Sequence, residues 1–385
     1  MQLVLNAGSS SLKFSLFRSS TSESAFLSGS FDRLGTSACS LRIGSSSQEV
    51  VASSVSEAVS VLAEVLVSRR VCSCDEVSSV VHRVVHGGER FSEPVLIDES
   101  VLEGVASFSV LAPLHNPVNI EGVRACQEMF SRARHVAVFD TSFHHTIAKS
   151  VFLYGVPYSL YEDHGIRKYG FHGISHSFIA SELASLRKEP VDAIIAHLGS
   201  GSSLTAVKGG VSVDTTMGFS PLDGVLMGTR SGELDPEIPL FLLKHAHYSV
   251  DDLERLFSKE SGLLGLTGHS DLRDVWSAAK RGSSRDQLAL EMLSYRIAYF
   301  VNALRTAVTP QYLVFTAGIG EGAWYVRERV CEYLGVGIDH EANLAHEQVI
   351  SLPEQEFEVL VLRTDEQLQM HRLAEPVLRE YLLKE

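Results

Sequence analysis

The sequence predicts an α/β fold made of two duplicated domains, on the strength of two observations. Short apolar segments with strand character alternate with longer segments whose apolar residues recur at helical spacing. One strand–turn–strand pattern also occurs twice, at residues 3–14 and at residues 193–204. Both copies contain an apolar run, one polar side chain, a glycine–serine turn and a second apolar run, which is typical of a hairpin. A repeated hairpin indicates repeated domains, with a boundary near residue 145 and a cleft suited to a ligand.

The remaining elements follow from local patterns of apolar residues. In the first predicted helix, Val51 and Val59 should lie on one buried face. Proline lacks a backbone N–H, so Pro376 should interrupt the C-terminal helix. The predicted helices are residues 51–70, 118–130, 287–308 and 367–383. The predicted strands outside the hairpins are residues 77–85, 135–140, 312–315 and 359–362.

Composition and charge restrict the partners that the protein can have. The chain has 385 residues, of which 45% are hydrophobic and 21% charged, as expected for two globular domains. Its net charge of −14 argues against nucleic acid and anionic membranes, so any anion site must concentrate arginine and lysine. The sequence opens with a strand rather than a basic signal segment, and no window reaches the roughly 18 apolar residues of a membrane span. Five cysteines without a regular framework favour reduced thiols in the cytoplasm.

Three glycine-rich turns are candidates for phosphate or nucleotide contacts. Residues 6–11 and 199–203 offer backbone N–H groups and hydroxyls in tight turns, which form concavities for anions. Residues 315–321 follow a strand and precede a helix, whose N-terminus favours a nucleotide phosphate. The alternative for each is an ordinary turn, and the sequence contains no Walker A motif.

Charged residues near the ends of apolar segments are candidates for chemistry. Arg83 leads from a strand into glycines and Arg230 lies in a flexible turn; arginine binds phosphate and carboxylate through paired hydrogen bonds. Asp140 and Glu366 carry carboxylates that suit magnesium. The alternatives are a solvated arginine, and turn formation or helix capping for the two acids.

Seven motifs occur in a fixed order along nearly the whole chain. They are residues 6–11, 82–88, 113–117, 139–141, 167–173, 228–232 and 317–321. In content and order these motifs resemble those of the acetate kinase family of acyl-phosphate-forming kinases. The resemblance implies the actin and sugar-kinase superfamily fold with duplicated ribonuclease H-like domains. It also implies a homodimer, ATP/ADP, Mg²⁺ (with Mn²⁺ as an alternative metal) and a short-chain carboxylate such as acetate.

The resemblance assigns residues to two domains and to roles. The N-terminal domain, with the first phosphate loop, comprises residues 1–144 and 368–385. The nucleotide-binding domain, with the second phosphate loop and an adenosine loop, comprises residues 145–367. The catalytic assignments are Arg83, His115, Asp140, His172 and Arg230. The nucleotide and phosphate contacts are Asn6, Ser9, Ser11, Lys13, His197, Gly199, Ser200, Gly201, Gly318, Gly320 and Glu321. The metal contacts are Asn6 and Glu366. The substrate contacts are Arg83 and a small apolar pocket of Val85, Leu114, Phe171 and Pro221.

The chain departs from the family pattern in three places. The family usually carries asparagine where this chain has Ser200 and where it has Gly322. The stretch at residues 265–271 is also shorter than the family's form. Ser200 and Gly322 fall on the nucleotide side of the site, so we expect these two positions to change the affinity or preference for the phosphoryl donor.

The reaction implied by the resemblance is acetate + ATP ⇌ acetyl phosphate + ADP by direct in-line transfer. A carboxylate is already nucleophilic near neutral pH, so the residues need to position groups and neutralise charge rather than supply a general base. A propionate or butyrate kinase is the nearest alternative, because one methylene changes binding in an apolar pocket by only about 1–3 kcal/mol. The sequence also leaves open a kinase that uses another phosphoryl donor, a nucleoside-triphosphate or polyphosphate hydrolase, and a non-catalytic nucleotide-binding module.

Overall fold

The computed structural model describes residues 1–8, 10–19 and 21–383. The chain divides into two compact units by its internal contacts. The first unit contains residues 1–143 and the C-terminal segment from Asp365, and the second contains residues 144–364. Among the described residues, none of the helices has both the length and the hydropathy needed to cross a membrane.

Strands and helices alternate along both units. The strands are β1 (Gln2–Ala7), β2 (Ser11–Phe17), β3 (Leu27–Asp32), β4 (Ser40–Ile43), β5 (Ser46–Glu49), β6 (Ser79–Val84), β7 (Val95–Leu96), β8 (Arg134–Phe139), β9 (Ala193–Leu198), β10 (Ser202–Lys208), β11 (Val211–Thr215), β12 (Tyr312–Thr316) and β13 (Glu358–Val361). The helices are α1 (Val55–Ser68), α2 (Glu99–Ser107), α3 (Asn116–Met129), α4 (Lys149–Phe152), α5 (Ser159–His164), α6 (Gly173–Arg187), α7 (Glu237–His245), α8 (Val250–Lys259), α9 (Gly262–Thr267), α10 (Leu272–Lys280), α11 (Ser284–Leu304), α12 (Ala317–Gly322), α13 (Trp324–Leu334), α14 (His340–Leu344) and α15 (Glu366–Leu382).

The first unit is built on an eight-stranded sheet in the order β5-β4-β3-β2-β1-β6-β8-β7. Strand β1 is antiparallel to β2 and parallel to β6, and β6 is parallel to β8. The sequence of β1 is buried at every position, as a central strand covered on both faces requires. Helix α1 begins after Ser54, whose hydroxyl accepts a hydrogen bond from the backbone N–H of Glu57. It buries the apolar stripe that includes Val59 and Leu62.

The second unit contains a five-stranded sheet in the order β11-β10-β9-β12-β13. Here β9 is antiparallel to β10 and parallel to β12, and β12 is parallel to β13. This order repeats the segment β3-β2-β1-β6-β8 of the first sheet, with the same strand directions. The predicted duplicated α/β fold is therefore confirmed, and the predicted hairpins at residues 3–14 and 193–204 form its two central strand pairs.

Two details of the predicted elements are wrong. Val51 is 88% exposed and lies outside α1, because the helix begins four residues later behind its Ser54 cap. Helix α15 continues through Pro376 rather than stopping there. Proline removes one backbone hydrogen bond, but burial of Met370, Ala374 and Leu378 holds both halves of the helix in place.

Candidate active site

An arginine and two carboxylates meet at one edge of the first sheet. The parallel strands β1, β6 and β8 end there, which brings Asn6, Arg83 and Asp140 together. Arg83 Nε donates a hydrogen bond to Asp140 Oδ1 at 3.0 Å, and Arg83 Nη2 donates to Oδ2 of the same carboxylate. Arg83 Nη1 donates to Asn6 Oδ1 at 3.0 Å, and Asn6 Nδ2 donates to Glu366 Oε2 at 3.3 Å. Four predicted site residues thus form one hydrogen-bonded cluster, the acid–arginine cluster.

The charges in the acid–arginine cluster are strongly coupled. Asp140 is only 2% exposed, and burial raises the pKa of its carboxyl. Arg83 opposes that rise, whereas the carboxylate of Glu366 adds to it. Burial alone would lower the pKa of Arg83, but Asp140 and Glu366 raise it. His115, the residue before α3, is close enough to favour the ionised form of Asp140.

The acid–arginine cluster fits the magnesium that the resemblance implies. Its carboxylate and amide oxygens are hard donors, and the two carboxylates carry more negative charge than the single guanidinium balances. Mg²⁺ typically takes one or two carboxylates and leaves its other positions to water and phosphate oxygens. Within the described parts of the chain, no group of three or more histidine, cysteine and acidic residues could form an all-protein metal cage. These oxygens are therefore donors of the kind that a phosphate-bound Mg²⁺ would take.

The other predicted residues of the first unit lie around this cluster or on the first hairpin. In the hairpin turn, the Gly8 N–H donates to the Ser11 carbonyl at 2.8 Å, and Lys13 is exposed on β2. Ser9 lies outside the described residues. Val85 is buried after β6, with its N–H donating to Asn119 Oδ1, whereas Leu114 is 42% exposed.

The second unit brings a histidine and an arginine to the second glycine–serine turn. The Gly199 N–H donates to the Gly201 carbonyl at 3.0 Å, which closes the turn. A Cβ atom built on Gly201 would lie 3.2 Å from His172 Nε2 and 3.5 Å from Arg230 Nη1. Arg230 Nη1 also donates to the Pro221 carbonyl at 3.1 Å. Glycine at 201 thus leaves room between two nitrogen-bearing side chains, where a small anion would find donors.

His172 is held in an uncommon backbone conformation. Its φ of 57° lies in the left-handed region, and it directly precedes α6. Its ring stacks on that of His197, with the ring centres 4.4 Å apart. Phe171, the neighbouring predicted pocket residue, is buried, and its carbonyl is bonded to His144 Nε2 at 3.0 Å. These contacts fix the direction in which His172 points.

Two buried hydroxyl groups that sequence reasoning missed bind the ring nitrogens of these histidines. Ser203 Oγ is 3.0 Å from His172 Nδ1 and 2.8 Å from His176 Nε2. Ser175 Oγ is 2.7 Å from His197 Nδ1 and 2.8 Å from Thr364 Oγ1. The only signal in the sequence was the spacing of His172 and His176, which lie one helical turn apart on the same face.

The glycine-rich α12 borders a cavity of about 880 Å³ in the second unit. Trp276 and Tyr325 stack with their ring centres 3.9 Å apart, and Trp324 meets both edge-on. A Cβ atom at Gly318 or Gly322 would meet no atom within 4 Å, so both glycines face open space. The lining includes Gly199, Ser200, Arg230, Asp271, Arg273, Trp276, Gly318, Ile319, Gly322, Trp324 and Tyr325. The cavity is large enough for a nucleotide, and its aromatic wall was not predicted.

The buried side chain of Arg327 stabilises the glycine-rich turn that borders this cavity. This guanidinium is fully buried and donates to the carbonyls of Gly320 and Glu321 at 2.8 Å each. It also donates to the side chain and the carbonyl of Asn343. Burial lowers the pKa of Arg327 to about 10. Glu321 Oε1 in turn accepts a hydrogen bond from the Ala317 N–H at 3.0 Å, so its carboxylate stabilises the turn.

The chain is similar to known proteins over its full length. The family described as the Acetokinase family matches residues 1–372. The acetate kinase of Clostridium novyi (strain NT) is 40% identical over 400 residues, which cover 99% of this chain and 99% of that protein. Among solved structures, a propionate kinase from Francisella tularensis subsp. tularensis SCHU S4 has a TM-score of 0.92 at 38% identity, covering 97% of this chain and 98% of that one. The acetate kinase of Porphyromonas gingivalis has a TM-score of 0.89 at 36% identity, covering 98% and 99%. The chain belongs to the acetokinase family.

Proposed function

We propose that the chain is an acetate kinase, which transfers the γ-phosphoryl group of ATP reversibly to acetate and forms acetyl phosphate and ADP. The observation that carries the proposal is the likeness to acetate kinases at about 40% identity along nearly the whole chain. The local geometry of each unit supports it, because each presents an arginine of the kind that binds carboxylate or phosphate groups.

Arg83 is proposed to bind the substrate carboxylate. Asp140 accepts two of its hydrogen bonds and orients the guanidinium plane. Val85, two residues further along the chain, is buried and offers an apolar side chain to the methyl end of acetate. Because the bound carboxylate is itself the nucleophile, orientation and charge balance are what the first unit has to supply.

Arg230 and His172 are proposed to stabilise the transferring phosphoryl group. Their nitrogens converge on the space beside Gly201, where a phosphoryl oxygen could accept from both. The N–H groups of the same turn add further donors. Such fixed donors act most strongly on the charge of the transition state, which is spread over the phosphoryl oxygens.

Mg²⁺ is the proposed metal, and Asn6 and Glu366 would hold it, with Asp140 nearby. When bound, it supplies positive charge that neutralises nucleotide phosphate oxygens. Activity should vanish when the metal is chelated and return with Mg²⁺ or Mn²⁺. Glu366→Gln should raise the Mg²⁺ concentration needed for half-maximal rate, whereas Glu375→Gln, on the same helix, should not.

ATP is the proposed donor, with its base against the aromatic wall of the cavity. Trp276, Trp324 and Tyr325 offer ring faces and edges on which a purine can pack. The two tryptophans are the only ones in the sequence, and both line this cavity. Intrinsic fluorescence should therefore change on binding ADP and remain unchanged with pyrophosphate, which has no base. An equal response to both would argue against this placement.

A hydroxylamine-coupled assay tests the reaction, because hydroxylamine traps acyl phosphates. Acetate with ATP and Mg²⁺ should give a hydroxamate and ADP in equal amounts. Phosphate release without acid would instead indicate a hydrolase, and nucleotide binding without turnover would indicate a binding module.

The chain length of the acid is the main alternative within the family. A propionate kinase is among the similar solved structures, at 38% identity. One methylene alters binding by only about 1–3 kcal/mol, so the relative kcat/KM for acetate, propionate and butyrate decides the matter. We propose that acetate has the highest value.

A homodimer is proposed from the surface of α7. No residue of this helix is buried, and four of its large apolar side chains are exposed. They are Ile238, Leu240, Phe241 and Leu243, of which Phe241 is 56% exposed. An exposed apolar patch of this kind marks a protein interface. Phe241→Glu should shift the mass measured by light scattering from dimer to monomer, whereas Val51→Glu, an exposed position in the first unit, should not.

The cytoplasm is the proposed location. All five cysteines are unpaired, and four of them are buried, which suits a reducing compartment. Fractionation of the source cells with an antibody to the chain would test this location.

A further inference from the structure

Two hydrogen bonds link the rings of His172 and His176 through the hydroxyl of Ser203, and it matters which group donates in each. Ser203 and His176 are both 0% exposed, and the Ser203 hydroxyl lies between His172 Nδ1 and His176 Nε2. A serine hydroxyl has one proton and two acceptor lone pairs, and among the described residues the Ser203 hydroxyl has no hydrogen-bond partner other than these two nitrogens. Its buried proton therefore goes to one of the two nitrogens, and its oxygen accepts from the other. The direction of donation therefore decides where each ring carries its own proton.

We call the hydrogen-bonded series His172–Ser203–His176 the relay. Its last member, His176, determines which group donates in each hydrogen bond. His176 Nδ1 is buried and has no hydrogen-bond partner among residues 1–8, 10–19 and 21–383. A buried N–H without a partner is among the rarest defects in proteins, and an unpaired lone pair is tolerated better. The His176 proton therefore sits on Nε2, which donates to Ser203 Oγ. Burial, followed by the nearby His144 and His197, lowers the pKa of His176 well below its ordinary value, so only this one proton is present.

The direction of donation determines which nitrogen of His172 carries the proton. Ser203 must donate to His172 Nδ1, so a neutral His172 carries its proton on Nε2. That nitrogen is the one beside Gly201, 3.2 Å from where a Cβ atom would stand. We propose that Ser203 and His176 are positioning residues that hold His172 in its Nε2–H tautomer, so that it donates to a phosphoryl oxygen even when it is uncharged. This proposal rests on the proposed function for its purpose, although the tautomer itself does not depend on it.

The second hydroxyl relay provides an internal comparison. Ser175 joins His197 Nδ1 to the Thr364 hydroxyl, which can either donate or accept. That relay has no fixed direction, so it leaves the tautomer of His197 open. Only the relay that ends on His176 can set the position of a proton.

Nitrogen-15 NMR of the full chain, labelled on histidine and without ligands, tests the tautomer directly. The His172 signals, assigned by their loss in His172→Gln, should show a protonated Nε2 and an unprotonated Nδ1 at neutral-to-alkaline pH. In Ser203→Ala the two His172 nitrogen chemical shifts should move towards values averaged between the tautomers. Thr205→Val, which removes another buried hydroxyl from the same face of β10, should leave them unchanged. A protonated Nδ1 in the unaltered chain would overturn the proposal, whether or not the chain has kinase activity.

The pH dependence of kcat separates positioning from mere packing. The titratable and charged groups around His172 include His176 on α6, His197 on β9 and Arg230. A doubly protonated His172 donates from both nitrogens, so losing the relay should matter little at low pH. At alkaline pH, Ser203→Ala should lower kcat by roughly tenfold, since an unfixed ring presents the wrong nitrogen part of the time. A loss that is the same at every pH, or the same as in Thr205→Val, would assign Ser203 to packing alone.

Discussion

The two units share one strand order but use different chemistry at equivalent places. In the first unit, the edge where β1, β6 and β8 end carries Asp140, Glu366 and Arg83, which are ionic partners. In the second unit, the turn after β9 is surrounded by histidines, hydroxyls and glycine. The repeated topology thus determines where polar groups gather, and the side chains determine what they bind.

The difference follows from the charges that each unit is proposed to meet. A metal cation requires carboxylates, and a substrate carboxylate requires a guanidinium. A phosphoryl group that gains negative charge during transfer requires donors that need not be balanced by acids. The second unit meets this requirement with N–H and O–H groups around a single arginine, Arg230.

The largest effect is expected from the two arginines, one in each unit. Arg83→Ala and Arg230→Ala should each lower kcat by roughly 10³- to 10⁵-fold, because arginine stabilises the charge of a transferring phosphoryl group. Only Arg83→Ala should also lower the free energy of unfolding, by about 3 kcal/mol, because it leaves the buried Asp140 carboxylate without its partner. The hydroxylamine assay and urea unfolding measure the two quantities.

The double variant Arg83→Ala/Asp140→Asn provides the control for this difference. It should regain most of the lost stability while remaining inactive. Near-normal turnover in either single variant would mean that its assigned role is wrong.

A second prediction concerns the buried arginine that holds the glycine-rich turn of the second unit. Arg327→Met fills a similar volume but leaves the Gly320 and Glu321 carbonyls unpaired. The free energy of unfolding should fall by about 2–4 kcal/mol, since buried acceptors then lack donors. The KM for ATP should rise while the KM for acetate remains unchanged.

Arg329→Met is the matched control, two residues further along α13. Its ion pairs with Glu291 and Glu332 are exposed, so its loss should lower the free energy of unfolding by less than about 1 kcal/mol. Equal losses in the two variants would show that burial of Arg327 carries no special role.

The same contrast explains how much of the molecule could be predicted from the sequence. The strand ends that place Arg83 and Asp140 follow from local apolar runs, because parallel strands end at one edge of a sheet. Ser203 could not be assigned, because its partners lie just before α6 and on it, and only the packing of that helix against the sheet brings them close. The aromatic wall depends in the same way on contacts between α10 and α13. Pro376 was misjudged because burial on the sheet outweighs one missing hydrogen bond.

A third prediction uses a feature that both units share, which is buried neutral histidine. Burial lowers the pKa of His135 in the first unit and of His144 in the second, each to about 4. The unfolded chain therefore binds more protons between about pH 4 and 6.5, and stability should fall as the pH decreases through that window. Each histidine should account for about 3 kcal/mol of this loss.

Urea unfolding at a series of pH values measures this effect. His135→Gln and His144→Gln should each flatten the decline between pH 6.5 and 4, whatever their stability at pH 7. Val51→Ala, at an exposed position without a titratable group, should leave the slope unchanged. An unaltered slope in both buried-site variants would assign the acid sensitivity to other groups.

The smallest expected effect concerns the cavity positions where the family usually has asparagine. Gly322 faces open space, so Gly322→Asn adds an amide without a clash, and Ser200→Asn lengthens a polar side chain in the same lining. Each added hydrogen bond to a nucleotide should contribute about 0.5–1.5 kcal/mol, which lowers the KM for ATP severalfold.

Gly155→Asn, at an equally open glycine outside this lining, is the matched control for these two substitutions. A donor screen with ATP, GTP and pyrophosphate completes the test, because amides that contact the nucleoside should leave the pyrophosphate rate unchanged. If the KM for ATP stays constant in both variants, these two positions do not influence the choice of donor.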